Sequence, residues 1–234
     1  MYYYSNKNED KKTKKKLLKA SFITIVPFIV ILIITFSDWD KITEFDYQIS
    51  NFFYSWHTPV LNKIMIAITH LGDMVTQTLV TSLTVVVLLI AKKWRTALWY
   101  GFSVLGGALF LNGIIKEFYA RARPSQIKPL VEIGGYSFPS GHSMGSIIVY
   151  GGILFIVLQS IRSTYLKVFI TSFLSIMIFS IGLSRIYLAV HYPSDVIGGF
   201  SLGLTWILVS ISFFGLKYIN LEIRNRNRFK IKSL

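Results

Sequence analysis

Apolar residues along this chain gather in six long runs, at 20–36, 74–91, 97–115, 143–161, 166–184 and 196–219, separated by short polar or basic stretches. Each run is close to the roughly 20 mainly apolar residues that crossing a hydrocarbon core requires. The pattern predicts an all-α, polytopic membrane protein built as a bundle of six transmembrane helices. Between the first two runs the polarity is mixed. Phe45, Ile49, Phe52, Phe53 and Trp56 recur at helical spacing, with Asp46, Gln48, Ser50 and Asn51 between them. Such a stripe suits either a helix lying in the membrane interface or one packed on the bundle. A second short helix is expected over 61–71, ended by Gly72, since glycine accepts the backbone geometry of a helix stop.

Composition agrees with a lipid-dissolved chain. Of 234 residues, 53% are hydrophobic and 15% charged, against about 25% charged in soluble domains. There is no Cys, which excludes disulfides, thiolate metal sites and cysteine-phosphatase chemistry. The first apolar run follows Lys11, Lys12, Lys14, Lys15, Lys16 and Lys19, as in a signal peptide. It ends in Thr35, Phe36, Ser37, Asp38 and Trp39 without a small-x-small cleavage site, and further spans follow. A retained anchor is therefore expected.

The net charge of +14 sits at the two ends and in short loops rather than along one surface, which argues against a nucleic-acid partner. It reads instead as topology. If both termini are cytoplasmic, that side holds 18 of the 25 Lys and Arg, and the opposite loops hold seven, with eight of the 11 acids. Lys and Arg bias sets orientation, so both termini are expected inside. The expected layout is a basic cytoplasmic tail at 1–16, a membrane domain at 17–219 and a second basic tail at 220–234. The stretches 1–16 and 224–234 are expected to be disordered arms on anionic lipid.

Three clusters of polar residues fall on the outward side, and ionisable residues near membrane-buried segments are functional candidates. The first holds Lys116, Arg123 and Pro124. Lys116 and Arg123 are seven apart; on a continuous helix they share a face, about 10.5 Å apart along the axis. Arg121 lies off that face and is expected to reach solvent or headgroups. The second cluster is Pro139, Ser140, Gly141 and His142, a capped helix start whose free amides suit an anion. The third holds Ser184, Arg185, His191 and Asp195. Ser184 and His191 align if the fifth span continues as helix. Asp195 follows His191 by four residues, which lets a carboxylate reach a ring nitrogen and fix the tautomer. Together the clusters offer three cations, a helix N-terminus, two imidazoles and one carboxylate, a set that suits a phosphoryl group.

This tripartite pattern resembles the type 2 phosphatidic acid phosphatase family, whose site is shared with vanadium haloperoxidases and glucose-6-phosphatase. Lys116, Arg123 and Pro124, then Pro139 to His142, then Ser184, Arg185, His191 and Asp195 match its motifs without substitution. The resemblance covers about 45–216 and is especially to small bacterial members acting on phosphatidylglycerol phosphate or undecaprenyl pyrophosphate. It implies His191 as nucleophile, through a phosphohistidine, Asp195 as its orienting carboxylate and His142 as general acid and base. Lys116, Arg123, Ser140, Gly141 and Arg185 would bind the phosphate oxygens. No cofactor or metal is expected: Asp195 is the only acid within the motifs, and Glu117 and Glu132 lack ligand spacing to a His. The expected partners are a lipid phosphate or pyrophosphate and the bilayer. The expected place is a bacterial plasma membrane, with the site facing outward. A phosphotransferase, or a non-catalytic lipid-phosphate binder or transporter, is the alternative on the same scaffold.

Overall fold

The computed structural model describes residues 7–37 and 39–215. Among these residues there are helices and connecting loops but no strand. In chain order the helices are α1 (Lys7–Thr24), α2 (Val26–Ser37), α3 (Trp39–Tyr54), α4 (Pro59–His70), α5 (Met74–Ile90), α6 (Trp94–Val104), α7 (Asn112–Tyr119), α8 (Gly141–Ser160), α9 (Thr164–Tyr187) and α10 (Pro193–Ser210). A π-helical stretch, Leu105–Leu111, joins α6 to α7, and another, Ile211–Gly215, continues α10. By length and composition, five helical stretches can cross a membrane: Asp10–Thr35, Trp94–Tyr119, Gly141–Ser160, Thr164–Tyr187 and Pro193–Phe214. The pair α4 and α5, bent by 43°, is a broken span or a re-entrant loop.

The centre is α8 against α10, with α1 and α2 on the far side of α10, and α9 against α8 and α4. Small residues set this contact. A Cβ added to Gly199 would stand 2.7 Å from the Ser140 carbonyl oxygen, and one on Gly203 2.9 Å from that of Met144. Glycine there lets two backbones touch, as bundles in lipid require. Gly151, by contrast, has nothing within 4 Å of the added atom. In the third span, Gly106 and Gly107 leave room for the Trp206 ring. Its indole N–H donates to the Ser103 carbonyl at 2.8 Å, a side chain inserted into the helical ladder at the point where α6 gives way to the wider π turn. Outward faces are lipid-like: Phe169, Phe173, Ile176 and Phe179 of α9 are all more than half exposed.

One expectation needs correction here. The first basic arm is helical from Lys7 onward. It packs on the end of α10, with the Lys14 ammonium 4.1 Å from the Phe213 ring centroid. The second arm, 224–234, lies outside the described residues. Helix α3 turns Phe45, Phe52 and Trp56 of its apolar stripe outward and keeps Ile49 and Phe53 half-buried. Ile42, Asp46, Ser50 and Tyr54 are buried. Periodicity finds a stripe but not the side that faces protein, and beside a bilayer the aromatic face can be the outer one. At its end, His57 Nε2 lies 2.7 Å from the Tyr187 carbonyl, and the Tyr187 hydroxyl donates to Asn62 Oδ1 at 2.6 Å. These bonds fix α4 beside the end of α9.

Candidate active site

Four chain segments meet at one end of the bundle. Helix α7 stops at Tyr119 because Ala120 turns left-handed, with φ of +47°. Arg123 is therefore off the helix, and the expected helical alignment with Lys116 does not form. The two cations are joined instead by a loop carbonyl: Lys116 Nζ donates to Tyr136 O at 2.8 Å and Arg123 Nη2 to the same oxygen at 3.1 Å. Arg123 also donates to Gly134 O, Gly135 O and Val190 O, at 2.9, 3.0 and 2.7 Å, and its Nη1 lies 3.3 Å from His191 Nε2. All five of its N–H donors are thus engaged. Helix α9 likewise ends at Tyr187, and Ala189 takes φ of +59°. His191 consequently reaches the site through a turn, not along a helical face shared with Ser184, whose hydroxyl donates back to Ile181 O at 2.6 Å.

The His191 tautomer follows from its neighbours. A guanidinium only donates, so Nε2, facing Arg123, accepts and Nδ1 carries the proton. Nδ1 lies 3.4 Å from both Asp195 Oδ2 and Ser137 Oγ, long contacts of the kind that tighten when substrate binds. The imidazole is 1% exposed. Burial, then the charges of Arg185, Arg123, Lys116 and His142, holds its pKa well below the ordinary imidazole value. It is a neutral ring with its lone pair turned towards cations.

Asp195 has two duties. Its Oδ2 accepts from Tyr192 N at 2.9 Å, capping the start of α10, and from the Ser137 hydroxyl. Its Oδ1 accepts from Arg121 Nη1 at 2.6 Å. Arg121 is the main correction to the sequence reading. Far from reaching solvent, it is 2% exposed. Its Nη2 donates to Asp46 Oδ2 at 2.6 Å and its Nη1 to Ser194 Oγ at 2.7 Å, and it lies 4.3 Å from the Tyr192 ring centroid. Burial works against its charge, but Asp195 and Asp46 outweigh that, so Arg121 holds its proton more tightly than usual. Asp46 also accepts from Ser194 N and Ser194 Oγ, at 2.9 and 2.6 Å. Helix α3 is in this way bonded to the carboxylate beside His191.

Ser140 caps α8 as expected, its hydroxyl accepting from Ser143 N at 3.4 Å and Ser143 Oγ at 3.0 Å. The Ser140 amide donates to the Asp195 carbonyl at 3.1 Å, which ties the second cluster to the third. Gly141 faces Asn112, whose Oδ1 would stand 3.3 Å from an added Cβ. Arg185 is 2% exposed. Its Nη1 donates to Thr69 Oγ1 at 2.5 Å, while its buried Nε makes no hydrogen bond among the described residues. An unsatisfied buried donor of this kind costs about 1–3 kcal/mol, and more when charged, a penalty that an arriving anion would relieve. Thr69, Asp46, Ser137 and Ser194 carried no sequence signal as site residues, because their partners lie far away in the chain. No three His, Asp or Glu side chains gather as a metal-binding set among the described residues.

The chain is similar to known proteins in sequence and in fold. Residues 96–218 match the PAP2 superfamily. Phosphatidylglycerophosphatase B of Bacillus subtilis is 35% identical over 154 residues, which cover 62% of this chain and 71% of that protein. Lipid A 4'-phosphatase of Bacteroides thetaiotaomicron is 28% identical over 176 residues, 69% of this chain and 73% of the relative. The crystal structure of a transmembrane PAP2 type phosphatidylglycerolphosphate phosphatase from Bacillus subtilis superposes with a TM-score of 0.70 at 30% identity, over 81% of this chain and 94% of that one. The chain belongs to the PAP2 superfamily and is a membrane phosphatase.

Proposed function

We propose that the chain removes phosphate from a lipid phosphate or pyrophosphate headgroup, with His191 as the covalent nucleophile, at the outward face of a six-span bacterial plasma membrane protein. The observation that carries the chemistry is the His191 environment: Nδ1–H held by Asp195 and Ser137, Nε2 aimed at cations, and a neutral, buried ring. In the first step Nε2 attacks phosphorus, the bond to the leaving oxygen breaks, and that oxygen takes a proton from His142. In the second, water attacks phosphorus, its proton passes to His142 and the P–N bond breaks. A covalent intermediate divides one hard step into two. Charge on the non-bridging oxygens is met by Arg185, Lys116 and the N-terminus of α8, fixed in place before the reaction begins. Arg123 joins them by exchanging a loop carbonyl for a phosphate oxygen. These residues suffice without a metal or cofactor.

A lipid substrate is supported by the relatives, whose names specify phosphatidylglycerophosphate and lipid A phosphates. The excess of Lys and Arg in the tails and the loops on their side supports the outward site. The test is a phosphate-release panel on purified protein with undecaprenyl pyrophosphate, phosphatidylglycerol phosphate, phosphatidic acid and a soluble ester, each with and without excess EDTA. The expected result is turnover of at least one lipid phosphate above the soluble ester, unchanged by EDTA. Preference for the soluble ester overturns the lipid reading. Loss in EDTA restored by one divalent ion overturns the metal-free one.

A further inference from the structure

The break between α4 and α5 holds a carboxylate with an unusual commitment. Asp73 occupies the N-cap of α5, where an Asp side chain ordinarily accepts from the first amides of its own helix. Here it makes no such bond. Its Oδ1 lies 2.8 Å from His142 Nε2 and its Oδ2 2.6 Å from His70 Nδ1. The turn is built to admit the His142 ring: a Cβ on Gly72 would stand 2.9 Å from His142 Cδ2 and 2.6 Å from Ile181 Cγ2. Gln77 braces it, donating from Nε2 to Gly72 O at 2.9 Å, and the Tyr150 hydroxyl donates to Leu71 O at 2.5 Å. The Nε2 and Cδ2 edge of the ring thus faces the break, and Nδ1 is directed away from it.

We infer that Asp73 is the positioning carboxylate of His142, the counterpart of Asp195 for His191, and that His70 steadies its second oxygen. Each imidazole then has one nitrogen on a carboxylate and the other on the substrate side: Nε2 for His191 and Nδ1 for His142. A carboxylate on the far nitrogen fixes ring orientation and stabilises the imidazolium. The proton given to the leaving oxygen comes from Nδ1 of His142, and the proton of the attacking water returns to it. The inference rests on His142 being the general acid.

The test exploits leaving groups. The alkoxide leaving from phosphatidic acid needs a proton, whereas 4-nitrophenolate leaves without one. General-acid contributions run from about 100-fold upward, so Asp73→Asn should lower kcat/KM, which reports the steps up to release of the leaving group and not hydrolysis of the shared phosphoenzyme, by about 100-fold on phosphatidic acid but by less than about 10-fold on 4-nitrophenyl phosphate. Asp73→Glu should recover part of the loss. His142→Gln is run beside it and should discriminate between the esters in the same way. If His142→Gln discriminates and Asp73→Asn lowers both rates equally, or neither, Asp73 does not position the acid. If His142→Gln itself fails to discriminate, the acid assignment falls as well. Should Asp73→Asn not be recovered folded, His70→Gln at the exposed end of the chain of contacts carries the same test. A smaller loss confined to phosphatidic acid supports the inference, and an equal or absent effect on both esters overturns it.

Discussion

His191→Ala is expected to abolish phosphate release while the protein still inserts and folds. Loss of a catalytic nucleophile elsewhere costs on the order of 10⁶-fold in turnover, so the residual rate should be indistinguishable from background. Folding should survive because the ring is neutral and its polar contacts among the described residues are long, at 3.3 to 3.4 Å. The remaining Asp195 stays bonded to Arg121, Ser137 and the Tyr192 amide. Wild-type-like release from a folded His191→Ala protein would refute the nucleophile assignment. The measurement pairs a phosphate assay with a thermal melt on the same preparation.

The second large effect is on stability. Arg121→Met leaves Asp46 and Asp195, both fully buried, without their shared cation. Breaking a buried ion pair by removing one partner costs about 3–5 kcal/mol, a large part of the 5–15 kcal/mol that typically holds a domain together. Activity should fall too, since Arg121 holds the oxygen of Asp195 that does not face His191. Asp46→Asn added to Arg121→Met should restore part of the lost stability by removing one uncompensated charge. Residues sharing one network are expected to couple in this way. Additive effects of the two substitutions would show that Arg121 and Asp46 do not act as a pair. Arg121→Lys should rescue poorly, because an ammonium cannot reproduce a planar fork gripping two carboxylates and a hydroxyl.

Most of the apolar helices and the cap of α8 were legible in the sequence because each depends on local pattern. Apolar runs near 20 residues report a bilayer wherever they occur, and α8, α9 and α10 begin within a few residues of the expected positions. Ser140 caps α8 because its side chain and the Ser143 amide are three residues apart. What failed was the extension of helical geometry past its end. Lys116 with Arg123, and Ser184 with His191, were aligned on helices that stop at Tyr119 and Tyr187. The left-handed residues that follow, Ala120 and Ala189, give no warning in sequence, since alanine is an ordinary helix former. Arg121 was misread for the same reason: once the helix has ended, its periodicity says nothing about direction. Its partner Asp46 lies 75 positions away, beyond the reach of any pattern argument. Asp73 was hidden differently. It looks like an ordinary cap residue, and only the fold shows that both its oxygens go to imidazoles.

The most direct test of the chemistry is to trap the covalent enzyme. Purified protein is mixed with a lipid phosphate carrying a radiolabelled phosphoryl group, quenched in alkali within milliseconds, and mapped by mass spectrometry. An acid-labile, alkali-stable label on His191, absent from His191→Ala, is the expected result. A label on any other side chain, or rapid turnover with no protein-bound phosphate at any quench time, would contradict it.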